Sequence, residues 1–296
     1  MSHLAKVADR GFHDASAYDA HRPSYRPEVV SAFLGQLGVL EHTGAAPLKI
    51  VEIGAGTGKF TQVLSGKAAE DKVSLDVIAV EPHDQMRAQL IAKNLPHITV
   101  VKGHGADLGI VQDATVDAVV IAQAFHWFAN AEALAEIRRV LKPGAFVGVI
   151  WNIEDYNKPR EWTADSPFDQ ALNDIILSLT HDGSPRFRDS KWQQAFVDAA
   201  RAGLYAPLDD DRVQWTVTLS PDALWKRLLT LSQIANLPET GPSDDKEAAD
   251  TSLQPTSRAT VHRRVEAATA RDDAPRDAQG NVTIHAVTYF AWAQKR

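Results

Sequence analysis

The reading of this chain turns on Val51-Glu52-Ile53-Gly54-Ala55-Gly56-Thr57-Gly58-Lys59-Phe60. Leu48 to Ile53 reads as a short apolar strand. Three glycines at alternate positions break it, and Phe60, Val63 and Leu64 then open a helix face. Glycine there lets the backbone turn sharply and lets a ligand lie against the main chain. The free N–H groups and dipole at the helix start favour a carboxylate or another polar ligand group. The spacing excludes two better-known glycine patterns. A dinucleotide G-x-G-x-x-G would need glycine where Lys59 stands. A P-loop needs four residues between its first glycine and Gly-Lys-Ser/Thr.

On either side of this stretch strand and helix signals alternate. Asp76 to Glu81, Ile98 to Val101, Val116 to Ala122 and Phe146 to Trp151 read as further strands. Pro27 opens a helix carrying Val29, Val30, Phe33, Leu34 and Leu37. Pro82 and Asp84 precede one with Met86, Leu90 and Ile91. Asn130 caps one with Leu134, Ile137, Val140 and Leu141, which Pro143-Gly144 ends. Short apolar strands spaced by helices imply a parallel sheet covered on both faces.

After Trp151 the rhythm changes. Ala171 to Leu179 is helical, Val213, Trp215, Val217 and Leu219 alternate as a strand, Ser220-Pro221 starts a helix, and Val282 to Trp292 forms a last, antiparallel strand. Residues 239–281 read as a solvated, partly mobile segment. The expected fold is therefore a doubly wound α/β domain with a mostly parallel seven-stranded sheet. Insertions at 152–190 and 221–280, with the N-terminus, build a helical cap. The expected division is 1–47 as lid and first helix, 48–151 as the α/β core with the glycine turn, and 152–296 as cap insertions plus the last two strands.

Glu81 closes the second strand at the same sheet edge as Gly54. A carboxylate there can accept both hydrogen bonds of a ribose diol, which describes an adenosine site at the switch point of a doubly wound sheet. The 296 residues contain no cysteine, which excludes disulfide scaffolds, thiolate metal sites and a catalytic thiol. A formal charge of -7 argues against a nucleic-acid partner. No stretch approaches the roughly 18 apolar residues of a membrane span. The start, from Met1 to Arg10, has no apolar run, so a cytoplasmic setting is expected. With no H-E-x-x-H or Gly-x-Ser-x-Gly, neither a metal site nor a serine nucleophile is expected.

Four stretches carry a family resemblance. They are Val51 to Gly58, Val80-Glu81-Pro82 through Met86, Asp117 to Val120 running into Ala122-Gln123-Ala124-Phe125-His126-Trp127-Phe128, and Arg139-Val140-Leu141-Lys142-Pro143-Gly144. Together they resemble the motifs of class I S-adenosylmethionine-dependent methyltransferases. The string 122–128, with Tyr18, Arg22-Pro23, Tyr25 and Pro27, is similar to the trans-aconitate methyltransferase-like subgroup. The likeness covers residues 12–151, and residues 152–281 carry none of it. It implies S-adenosylmethionine as cofactor and S-adenosylhomocysteine as product. By position, Glu52 and the Gly54, Ala55, Gly56, Thr57 and Gly58 segment would hold the methionine part, and Glu81 the ribose. Met86 would pack near the adenine, with Ala106 and Asp107 at its edge. Gln123 and Ala124 would flank the sulfonium. Arg22 would face the cofactor carboxylate or the substrate. Ala106 departs from the family, which often has an acid there, and Ala145 replaces the second glycine of Pro-Gly-Gly.

Methyl transfer from a sulfonium is an in-line displacement that asks the protein for alignment and desolvation. Aromatic faces help near the cation, so Tyr18, Tyr25, Phe125, Trp127 and Trp151 are candidates for the substrate side. His126 follows the fourth strand and reads either as a general base or as a hydrogen-bonded structural histidine. A carboxylate nucleophile would need no base and would give Arg22 more weight. The expected partner is a small molecule rather than nucleic acid or membrane, and the protein is expected as a monomer or homodimer. A cyclase-like enzyme on the same scaffold and a non-enzymatic cofactor-binding protein stand as alternatives.

Overall fold

The computed structural model describes residues 15–40, 44 and 46–296. Residues 1–14 of the expected lid, Phe12 among them, lie outside the described residues, as do 41–43 and 45. Strands β1 (Leu48–Ile53), β2 (Leu75–Val80), β3 (Ile98–Val101), β4 (Val116–Ala122), β5 (Leu141–Glu154), β6 (Asp209–Leu219) and β7 (Val282–Gln294) form one sheet. Its order is β3-β2-β1-β4-β5-β7-β6. The first five pair in parallel. The order reverses between β1 and β4, which makes the switch point of a doubly wound sheet.

Among the described strands β7 runs against the other six, and β6 returns to the direction of β1–β5. Lys295 N–H donates to Ala145 O at 2.8 Å and Thr288 Oγ1 to Asn152 Oδ1 at 2.7 Å, so numbers fall along β7 as they rise along β5. Ala206 N–H donates to Gln294 O at 2.8 Å, and the Thr218 and Thr283 hydroxyls meet at 3.4 Å, so β6 is antiparallel to β7. The sheet is thus mixed and seven-stranded, as its alternation of signals implied.

Helices flank it: α1 (Ala15–His21), α2 (Pro27–Gln36), α3 (Lys59–Glu70), α4 (Asp84–Ala92), α5 (Ala131–Val140), α6 (Pro167–Ser178), α7 (Trp192–Arg201), α8 (Pro221–Leu228), α9 (Ser232–Ala235), α10 (Asp244–Ala249) and α11 (Arg258–Thr269). One difference falls at Lys142-Pro143-Gly144, expected only to end a helix. β5 already begins at Leu141, and its register against β4 jumps between Val116 and Ala118. Pro143 has no N–H to give the ladder and Gly144 takes φ +74°, so the stretch bulges out and pairing resumes at Phe146.

The chain compacts into two units. One comprises Pro23–Asn152, Pro185–Val213 and Thr288–Arg296. In its core, Val29, Val30, Phe33 and Leu34 of α2 and Phe60 and Leu64 of α3 pack on Ile50, Val77, Ala118, Val120 and Ile150. β1 is buried on both faces, which is why its sequence is a continuous apolar run rather than an alternating one.

The other unit comprises Ile153–Ser184 and Gln214–Val287 with the N-terminal stretch through Arg22. These units regroup the three stretches read from the sequence. Phe168, Leu172 and Ile176 of α6, Leu224 and Leu228 of α8, Val261 and Val265 of α11, and Val282 and Ile284 of β7 share its core.

Residues 239–281 correct the expectation of a solvated, partly mobile segment. They hold α10 and α11, and polar side chains close the space that apolar ones leave. The buried Arg264 guanidinium donates to the carbonyls of Glu247, Asp250 and Leu253. The Glu247 carboxylate accepts from Thr256 N at 3.0 Å and from its hydroxyl at 2.9 Å. Ser257 caps α11 through Thr260 N–H at 3.1 Å. Replacing Arg264 with Met strands three carbonyls and should cost on the order of 2–4 kcal/mol. Urea unfolding of Arg264→Met checks this, and an unchanged midpoint would show the network to be dispensable.

Candidate functional site

The site is built on the turn between β1 and α3. Gly54, Gly56 and Gly58 all lie in the left-handed region, at φ +72°, +58° and +84°. Their surroundings differ. A Cβ at Gly54 would stand 2.6 Å from Ala124 Cβ, and one at Gly58 would collide with the Leu90 side chain. At Gly56 no heavy atom lies within 4 Å of that position. The outer two glycines serve packing, while the middle one leaves an open cradle. Ala55 and Thr57 between them are buried.

Glu81 follows β2 and is only 6% exposed. Its Oε2 accepts the Gly56 N–H at 2.8 Å and its Oε1 the His83 N–H at 2.8 Å. Burial raises its pKa, and the two backbone donors and Arg87 pull back against that. Each oxygen keeps a second lone pair for a ligand hydroxyl. His83 caps α4 by accepting Met86 N–H at 3.4 Å, which sets the buried Met86 beside the carboxylate-bearing turn.

Glu52 is wholly buried, and neither carboxylate oxygen makes a hydrogen bond. Burial, with a smaller push from the Glu81 charge, raises its pKa to about 8. The nearby Thr61 hydroxyl opposes the shift without reaching bonding geometry. A buried, unpartnered carboxylate on the strand that ends in an open glycine cradle suits a cationic ligand group.

At the end of β4, Gln123 holds a left-handed φ of +58°, rare for a residue with a side chain. Its Nε2 donates to Asn152 O at 2.9 Å and its backbone N–H to Ile150 O at 2.8 Å. Asn152 was not singled out in the sequence. It donates to Ser24 O at 3.1 Å and accepts from Thr288, so it joins β5, the stretch before α2 and β7. Only the pairing of distant strands reveals it, because an asparagine ending an apolar strand carries no signal of its own. Ala124, half-buried, abuts Gly54. Ala106 and Asp107 sit on the turn after β3. There Asp107 is exposed and its Oδ1 accepts Gly109 N–H at 3.1 Å.

His126 lies in a short 3-10 turn, Phe125–Trp127, and its Nδ1 accepts the Trp151 indole N–H at 3.1 Å. This bond network assigns the neutral ring its proton on Nε2. Trp151 is itself fully buried, packed 4.6 Å from Trp192 and 5.0 Å from Phe187 between ring centroids. Tyr25 is also a core residue, edge-on to Phe60 at 5.3 Å. Trp151 and Tyr25 therefore shape the site from behind, whereas Trp127 is half-buried beside the His126 ring at 5.5 Å. Arg22 and Tyr18 belong to the other unit, where the guanidinium lies 5.5 Å over the Tyr18 ring. Among the described residues, no group of three or more acidic or histidine side chains is placed to hold a metal. No helix among them is long and apolar enough to cross a membrane.

Residues 51–149, from the glycine turn into β5, match the family described as "Methyltransferase domain". A protein named as an uncharacterized methyltransferase of Mycobacterium tuberculosis is 33% identical over 208 residues, 70% of this chain and 70% of that one. A putative type II methyltransferase from Anaeromyxobacter dehalogenans superposes with a TM-score of 0.54 at 19% identity, covering 93% of this chain and 97% of that one. Phosphoethanolamine N-methyltransferase 2 of Haemonchus contortus, solved with S-adenosylhomocysteine and phosphomonomethylethanolamine, gives 0.51 at 14% identity over 100% of this chain and 61% of that one. The two solved structures share the fold with this chain.

The three glycines should separate by experiment. Gly54→Ala and Gly58→Ala meet neighbours and should lower the melting temperature sharply. Gly56→Ala should cost only about 1 kcal/mol of stability yet remove ligand binding. Thermal unfolding with calorimetric titration checks this, and a Gly56→Ala protein that binds as wild type would exclude the cradle.

Proposed function

The chain belongs to the methyltransferase-domain family and is an S-adenosylmethionine-dependent methyltransferase. On that premise we propose that it methylates a small molecule at oxygen, nitrogen, sulfur or a carboxylate. The observation that carries the site assignment is the pair of buried carboxylates at the glycine turn. Glu81 is tied to the Gly56 N–H, and Glu52 has no partner. The formal charge of -7 supports a small acceptor over a nucleic acid.

The cofactor brings a methyl group on a sulfonium, a good leaving group. The protein's own residues bind, orient and exclude water. Glu52 would take the ammonium of the methionine part, and the Gly54–Gly58 backbone would lie against it. Glu81 would accept the ribose hydroxyls through its remaining lone pairs, with Met86, Ala106 and Asp107 around the adenine. Gln123, held by Asn152, and Ala124 would border the methyl group, and Trp127 would meet the acceptor. The Nδ1 of His126 is engaged by Trp151, which supports an orienting role and favours an acceptor already nucleophilic at neutral pH. Methyl transfer from labelled S-adenosylmethionine to panels of acids, amines, thiols and alcohols tests the reading. No transfer, together with no binding of S-adenosylhomocysteine, would overturn it.

Glu52 supplies a sharper test. With a pKa of about 8 it is protonated at neutral pH, and an incoming ammonium would lower that pKa and expel the proton. Binding at pH 7 should release up to about one proton, read as a buffer-dependent enthalpy. Glu52→Gln should abolish the release and weaken binding about tenfold or more. Its folded-state pKa lies above the ordinary carboxyl value of 4.5, so the ionised form penalises the fold. The free protein should thus lose stability relative to Glu52→Gln as pH rises from 4.5 to about 8. A buffer-independent enthalpy would remove the ammonium from Glu52.

A further inference from the structure

Two arginines that tie the fold together, Arg139 and Arg264, each donate to several acceptors. Arg139 donates to both oxygens of Glu136 at 2.7 and 2.8 Å, to Asp113 at 2.5 Å, and to the carbonyls of Val111 and Leu108. Arg264 spans three carbonyls. Arg227, in the last turn of α8, does not follow this pattern. Its side chain is 12% exposed, yet neither Nε nor Nη1 makes a hydrogen bond.

Among the described residues its ionic neighbour is Glu154, the last residue of β5 and 1% exposed. The Nη1 to Oε1 separation of 3.6 Å lies well beyond the 2.7–2.9 Å of a closed guanidinium–carboxylate bond. The Tyr156 hydroxyl, in a fully buried residue two positions on, lies near the Glu154 carboxylate without reaching bonding geometry. The charges facing it are the Glu154 carboxylate and the guanidiniums of Arg22 and Arg227. Burying unmatched donors costs free energy that a packing role does not recover. The carboxyl end of a parallel strand is also where ligands of open α/β sheets bind.

We propose that Arg227 and Tyr156, with Arg22 and Glu154 beside them, form a binding site for a small acid carrying a carboxylate or a phosphate monoester. The guanidinium fork takes two oxygens of the acid, and the Tyr156 hydroxyl supplies a third donor. Glu154 holds the guanidinium in place and, being like-charged with the ligand, limits how tightly it binds.

Titration calorimetry with succinate and with inorganic phosphate tests this on the full chain, and S-adenosylhomocysteine binding reports the other unit separately. At least one acid should bind, and which one does identifies the group. Arg227→Gln should weaken it about ten- to a hundredfold while S-adenosylhomocysteine binding stays. Glu154→Gln should tighten it, a gain that a merely structural pair would not give. Should Arg227→Gln fail to fold, Tyr156→Phe removes one donor at nearly unchanged volume and should still weaken binding severalfold. Absence of binding by both acids, or equal affinity in the Arg227 and Tyr156 variants, would overturn the site. Loss of S-adenosylhomocysteine binding by the wild type would instead count against the cofactor assignment.

Discussion

The hydrogen bond from the Gly56 N–H to the Glu81 carboxylate joins the ends of β1 and β2 across 2.8 Å, and the site hangs on it. It exists because two constraints meet. Gly56 adopts a left-handed backbone that turns its N–H toward β2, and parallel pairing of Ile53 with Val80 brings the next residue, Glu81, within reach. A longer side chain at either neighbouring glycine would push the turn off Ala124 or Leu90. The bond is charge-assisted and shielded from water, so it strengthens where a surface contact would be screened.

Two buried carboxylates near each other are costly, and the two are handled differently. Glu81 is satisfied by backbone donors, whereas Glu52 is left with none. Glu52 therefore holds its proton at neutral pH in the free protein. A fold carries such a residue when something with positive charge gives it a partner in the working state. The same logic sets Arg227 apart from Arg139 and Arg264, which stabilise the fold by donating to several acceptors each. Unmet polar groups thus mark both sites, one in each unit, and the apolar cores beneath them carry the stability.

Behind the glycine turn, rigidity comes from groups with no role in ligand contact. Trp151 fills the aromatic core and donates its indole proton to His126, so the turn after β4 is set from beneath. Asn152 collects three chain segments and returns a carbonyl to Gln123, whose left-handed backbone needs such support. A residue placed beside a reacting group can thus be there to orient, and partnership rather than position decides which.

Sequence alone determined the elements whose cause is local. Apolar runs and capping residues located β1 through β4 and the helices between them, and in β1 and β4 burial on both faces leaves no alternation to misread. The alternate glycines and Glu81 were legible because backbone conformation and strand ends demand particular residues. Tertiary structure alone decided whatever depends on a distant partner. Residues 239–281 look too polar for a core until Arg264 is seen closing three carbonyls. Trp151 looks available to a substrate until Trp192 and Phe187 cover it. Asn152 and Arg227 give no signal in one dimension. A strand's apolar pattern follows from its own burial, but a polar side chain's role is set by the partners that folding brings or withholds.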